Sequence, residues 1–158
     1  MIAVAVAHHC FLSRSFKIAH AEYRQLFKRF PFEPLLLLCV AVSQLQMVMS
    51  RANRERGRSV LLVFGWLGAY AKFVNEQEAA YNAARTHHHL GLSQLAAGAY
   101  ERAIDSGRRY ASIAGAVDAK APAARDLSRE AVHNLARVFC ASGNKEFARC
   151  TMRSMPVT

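Results

Sequence analysis

The stretch EAAYNAARTHHHLGLSQLAAGAYERAI, residues 78–104, decides how the chain folds. Small and apolar residues recur in it at three- and four-residue intervals on both sides of Gly91, the spacing of two amphipathic helices joined at a glycine. The first helix carries Tyr81, Asn82 and Ala84, and the second carries Ala96, Tyr100 and Ala103. Where two helix axes approach closely only a methyl group fits, and a larger side chain would overpack by about 1–3 kcal/mol. Ala96 and Ala103 are therefore expected at the crossing of the pair.

A second copy repeats the pattern. In EAVHNLARVFCASGNKEFARCTMRSM, residues 130–155, Asn134, Leu135, Ala136, Phe139, Gly143 and Ala148 stand at the matching places. Two copies in register read as tetratricopeptide (TPR) repeats, whose period of ~34 residues is lengthened here by an insertion of about 18 falling between Ser106 and Ala124.

Further hairpins precede them. In residues 1–33, Ala3, Ala7 and Phe11 share one helical face, and Phe16, Ala19, Tyr23 and Leu26 follow at second-helix spacing. Arg14 stands where glycine would end the first helix, so it must adopt a left-handed conformation or reshape the turn. With no lead-in before its first helix, the chain reads as the end of a longer array. Pro34 suits the first turn of the next helix, which runs through LLLLCVAVSQLQMVMS to Ser50 and is apolar enough to be sandwiched between neighbours. The polar run RANRERGR, residues 51–58, is the expected turn, and Ser59–Val74 the partner helix. Gly65, Gly68 and Ala71 in that helix point to close packing, since each helical glycine costs ~1 kcal/mol against alanine. Asn75 with Glu78 reads as an N-cap opening the central repeat.

The expected fold is all-α, a TPR-like α-solenoid of about four helical hairpins. Its parts are a TPR-like hairpin over 1–33, an atypical one over 34–75, a TPR over 76–105, a connector over 106–125 and a C-terminal TPR over 126–156.

A composition of 53% hydrophobic residues can build a core, and a net charge of +10 favours acidic partners. The basic excess is concentrated in the first half. Cys10, Cys39, Cys140 and Cys150 form no C-x-x-C pair, which argues against zinc and against a disulfide framework, so buried thiols are expected. The opening MIAVAVAHHCFL lacks the basic start and cleavage site of a signal peptide, and the apolar run to Met49 is too short for a membrane span. No phosphate-binding loop, nucleophile elbow, zincin motif or paired catalytic carboxylates are found, so neither catalytic residues nor a cofactor are expected.

The order of features from Pro34 to Phe73, the repeat containing Gln77, Glu78, Ala79, Tyr81, Asn82, Arg85, His88, Leu90, Gly91 and Leu92, and the terminal repeat containing Asp126, Leu127, Arg129, Glu130, Ala131, Asn134, Leu135, Ser142, Gly143 and Asn144 carry a more specific likeness. Together they resemble the C-terminal TPR array of the TPR-containing subunit of general transcription factor IIIC. The resemblance implies a nuclear protein–protein interaction scaffold in RNA polymerase III preinitiation assembly. Its implied partners are other transcription factor subunits and initiation factors, with DNA reached indirectly or through a basic turn, and neither membrane nor small-molecule substrate.

First helices of TPR hairpins line the partner-binding groove, which places Tyr81, Arg85, His88 and His89 there, with His133 and Arg137 one repeat on. Asn82 and Asn134 stand where such proteins bond a bound peptide's backbone. Arginine and asparagine suit extended or carboxylate-bearing segments, although each also has a plain role, the Asn bonding its own backbone and the Arg solvating a face. His87, His88 and His89 splay through ~100° steps and cannot converge on one metal ion; His87 falls at a core position. Arg51, Arg54 and Arg58 can share a face, with Arg56 beside them, and contact nucleic-acid phosphates or an acidic partner, or simply form a solvated turn. Two alternatives to the transcription scaffold follow: a generic TPR adaptor for acidic peptide segments, such as a chaperone partner, and a basic helical module contacting nucleic acid.

Overall fold

Eight helices are present among the residues that the structure, a computed structural model, describes: 2–50, 55–114 and 126–153. They are α1 (Ile2–Leu12), α2 (Phe16–Arg29), α3 (Pro34–Met49), α4 (Arg56–Tyr70), α5 (Glu76–His89), α6 (Ser93–Ala114), α7 (Ser128–Ala141) and α8 (Lys145–Arg153). No described residue is in a strand. The chain is all-α with TPR-like hairpins, and it divides into two units, Met1–Val74 and Asn75–Thr158. Within each unit every helix packs on the next in sequence, so α2 on α3 and α6 on α7 stack hairpin upon hairpin as in a TPR-like α-solenoid.

Three of the turns close identically. At Gly91 the N–H donates to the His88 carbonyl (3.0 Å) and the Leu92 N–H to that of His87 (2.9 Å); at Gly143 the acceptors are Cys140 (3.1 Å) and, for the Asn144 N–H, Phe139 (2.9 Å). These are Schellman closures, which need a left-handed residue, and the two glycines have φ of 76° and 82°. Arg14 makes the same closure, onto Phe11 (3.0 Å) and from the Ser15 N–H onto Cys10 (2.9 Å), at φ 61°. The arginine therefore takes the left-handed conformation, at a cost of about 1–2 kcal/mol, and the turn keeps its shape.

In the first unit, Ala7 and Ala19 are fully buried and let α1 approach α2, while Tyr23, Leu26, Leu36 and Val40 fill the core beside them. Ala3, expected on the same face as Ala7, is exposed, and Val4 packs on the core instead. The buried Tyr23 hydroxyl lies 2.5 Å from His8 Nδ1, and buried Ser43 donates to the Val40 carbonyl at 3.0 Å, so neither polar group is stranded. Pro34 occupies the first turn of α3, capped by the Glu33 side chain, which accepts the Leu35 N–H at 3.3 Å. α3 buries residues on both sides, including Leu37, Val40, Leu45 and Val48, as a helix between α2 and α4 must.

α4 departs from expectation at both ends. It starts at Arg56, inside the stretch expected to be a turn, and stops at Tyr70, where the N–H groups of Lys72 and Phe73 bond three residues back and tighten the chain out of the helix. An Arg58–Glu55 ion pair of 3.5 Å spans its first turn. Gly65 and Gly68 have no packing partner: both are exposed, and a Cβ at either would meet nothing within 4 Å.

In the second unit Asn75 caps α5, its side chain accepting the Glu78 N–H at 2.8 Å. Ala96, Ala99 and Ala103 are fully buried against α5 and α7, with Tyr100, Val132, Leu135 and Val138 completing the core. Residues after Ile104 continue as helix to Ala114, and the remaining expected connector residues, 115–125, lie outside the described residues. Gly107 is buried where α6 passes beneath Gln77 and Ser128, so that a Cβ there would collide with both side chains. Cys10 and Cys39 are half-buried, whereas Cys140 and Cys150 are exposed, contrary to the expectation of buried thiols throughout. Both exposed cysteines lie off the apolar stripe of their short helices.

Candidate functional site

Six of the eight residues expected in the groove meet in one depression of about 620 Å³ in the second unit. Tyr81, Arg85, His88 and His89 come from α5, and Asn134 and Arg137 from α7. The 3.6-residue period explains the set: positions 81, 85, 88 and 89 lie on one face of α5, and 134 and 137 on the facing side of α7. Tyr100 of α6 forms the floor. His133 lines an adjoining depression of about 540 Å³ that shares Tyr81 and Asn134 with the first, so the two form one furrow along α5 and α7.

Asn82 is placed elsewhere. It is buried, and its Nδ2 donates to the Glu78 carbonyl at 3.2 Å, within its own helix. One residue on from Tyr81 is ~100° around the helix, which turns Asn82 into the packed side. Asn134 does reach the furrow, where its Nδ2 donates to the Tyr81 hydroxyl at 3.2 Å and ties α7 to α5.

The first depression is cationic, with Arg85 and Arg137 and no carboxylate in its lining, while Glu130 lines the adjoining one. The Arg85 guanidinium lies 5.9 Å from the centre of the Tyr81 ring, a cation–π contact, and no described carboxylate pairs with either Arg85 or Arg137. The Tyr81 and His88 rings pack on Tyr100 with centroids 6.1 and 6.2 Å away. Burial, and then the Tyr81 ring beside it, push the Tyr100 hydroxyl up to about 12, although Arg85 and Arg137 pull the other way. Tyr100 thus keeps its proton at neutral pH and is a donor. Burial, followed by the Arg137 and His89 charges, holds His88 below the ordinary imidazole range. His87 is also held low, by burial and then Arg102, and it stands half-buried as a core position would.

The floor is the part that sequence reasoning missed. Tyr100 reads from the sequence as a packing aromatic, and its ring is one, with 1% of its surface exposed; its place in the site comes from lining the same depression as Arg85 and Arg137.

Of the basic residues expected to meet anions elsewhere, Arg51 and Arg54 lie outside the described residues. Arg56 and Arg58 are in the exposed first turn of α4, Arg58 already paired with Glu55. A further depression of about 780 Å³ in the first unit, lined by residues including Phe16, Ile18, Gln44 and Met47, corresponds to no sequence expectation. Among the described residues no three His, Cys, Asp or Glu side chains gather as a metal site would require, and no described helix is long and apolar enough to cross a membrane.

No family model matches the chain. Over 149 residues, 94% of its length, it is 30% identical to human general transcription factor 3C polypeptide 3. The chain is thus related to a general transcription factor subunit, and it spans 16% of the length of that relative.

Proposed function

We propose that the protein is a protein–protein interaction scaffold, corresponding to the C-terminal TPR part of a transcription factor IIIC subunit and serving RNA polymerase III preinitiation assembly. The observation that carries this reading is the match to the transcription factor subunit along nearly the whole chain, in a fold made of stacked TPR-like hairpins. Such a role is binding rather than catalysis: the furrow of α5 and α7 holds a segment of another subunit or initiation factor, in the nucleus, with DNA reached through those partners. Immunoprecipitation of the endogenous gene product followed by mass spectrometry tests it. Other subunits of the same transcription factor should be recovered in stoichiometric amounts; recovery alone, or with chaperones only, would refute the scaffold.

The generic reading, an adaptor for acidic peptide segments, has one observation in its favour, the pair of arginines without carboxylate partners in the furrow. The two readings agree on where the partner sits and differ in what it is. Direct nucleic-acid contact through Arg56 and Arg58 draws less support, since the Glu55 pairing offsets part of their charge.

A further inference from the structure

The furrow carries more hydrogen-bond donors than an acidic side chain can use. Two guanidinium groups, from Arg85 and Arg137, line the depression together with Tyr100, whose side chain is 1% exposed. The Tyr81 hydroxyl accepts from Asn134 and so has its own proton to give. The imidazoles of His88 and His89 complete the wall. A carboxylate has two oxygens and a single charge, which one guanidinium fork and a hydroxyl largely satisfy. A phosphate monoester has three terminal oxygens and a charge of about −1.5 to −2, which matches two guanidinium groups and both hydroxyls together.

We infer that this depression is a receptor for a phosphorylated serine or threonine on an extended segment of a protein partner, clamped by Arg85 and Arg137 and touching the Tyr100 hydroxyl. The occupant is identified by charge complementarity and donor number. The inference rests on the furrow being the partner surface, as proposed above, and adds that docking there is switched on by phosphorylation. A nucleic-acid backbone is the less favoured source of phosphate, because these donors are gathered in one depression rather than spread along a stripe.

The test uses the full chain and three probes: an acetylated pentapeptide of alanines centred on phosphoserine, the same peptide centred on glutamate, and a single-stranded oligonucleotide. NMR follows the His88, Tyr81 and Tyr100 signals. The phosphoserine peptide is expected to bind saturably and about tenfold or more tighter than the glutamate peptide, and to lose about tenfold on Arg85→Gln or Arg137→Gln. Both arginines are exposed, so these variants should unfold at the wild-type temperature, which a melting curve checks. Tyr100→Phe, which leaves the packed ring in place, should weaken phosphoserine more than glutamate. Equal binding of the two peptides would overturn the phosphate preference and leave the acidic-segment reading standing. Saturation by neither would overturn the anion site while the co-purification test still decides the scaffold. Tighter binding of the oligonucleotide at the same signals would overturn it in favour of nucleic acid.

Discussion

Gln77 Nε2 lies 2.8 Å from Asp126 Oδ1, joining the first turn of α5 to the residues that lead into α7 across the buried Gly107 of α6. The same amide also donates to Ser128 Oγ at 3.1 Å, and Asp126 in turn accepts from the Ser128 N–H at 2.9 Å and its hydroxyl at 2.6 Å. One carboxylate thus gathers three donors and fixes how the last hairpin meets the central one. The furrow lies between α5 and α7, so its width depends on this junction.

Gly107→Ala should therefore destabilise the protein by about 1–3 kcal/mol, through displacement of Gln77 and Ser128 and the loss of their hydrogen bonds. Denaturant unfolding checks this, with Gly98→Ala as the comparison, since a Cβ at Gly98 meets nothing within 4 Å and alanine is the better helix former.

Asp126 predicts an acid-sensitive junction. Burial raises its pKa, but the bonds from Ser128 and Gln77 outweigh burial and leave it below the ordinary aspartate value. A carboxyl depressed in the folded state contributes stability that is fully present above its unfolded pKa and is lost as pH falls through the folded one. The stability advantage of the wild type over Asp126→Asn should accordingly be largest near neutrality and shrink below about pH 3.9. An advantage independent of pH would mean that the charge of Asp126 is not what holds the junction.

Arg14→Gly should stabilise the first unit by up to about 1 kcal/mol, because removing the left-handed strain at φ 61° outweighs the extra flexibility that glycine gives the unfolded chain. Gly91→Ala and Gly143→Ala should each lose about 1 kcal/mol at the equivalent closures. Thermal unfolding of the three variants would show the opposite signs directly.

The His88 side chain should titrate below the ordinary imidazole value, and Arg137→Gln should move its pKa upward without fully restoring it, since burial is the larger cause. The groups facing it are Arg85 and His89 on α5, Tyr100 on α6 and Arg137 on α7. NMR titration of the ring protons measures both proteins, and an unchanged value in the variant would place Arg137 away from His88.

What could be read from the sequence was what local chemistry encodes. Asn75 as a cap, Gly91 and Gly143 as left-handed closures, and Ala96 and Ala103 as contact points all follow from short-range rules, as does the shared face of Tyr81, Arg85, His88 and His89. The junction of Gln77, Gly107 and Asp126 could not be read, because it joins residues 49 apart in the chain and its only local trace is a glycine inside a helix. That trace misleads elsewhere: Gly65 and Gly68 gave the same signal and face open space. Tyr81 and Asn82 are neighbours in sequence, yet one helical step separates a furrow residue from a buried one. The start of α4 was hidden by charge, since an arginine-rich run reads as a turn until Glu55 and Arg58 are seen to bridge a helical turn.

The most direct measurement of the central claim is photo-crosslinking from the furrow itself. With a photoreactive residue in place of the exposed His133 in the endogenous protein, irradiation in cells and mass spectrometry should identify another subunit of the same transcription factor, or an initiation factor, joined at that position. Crosslinks to chaperone tails alone, or to solvent alone, would contradict the scaffold reading.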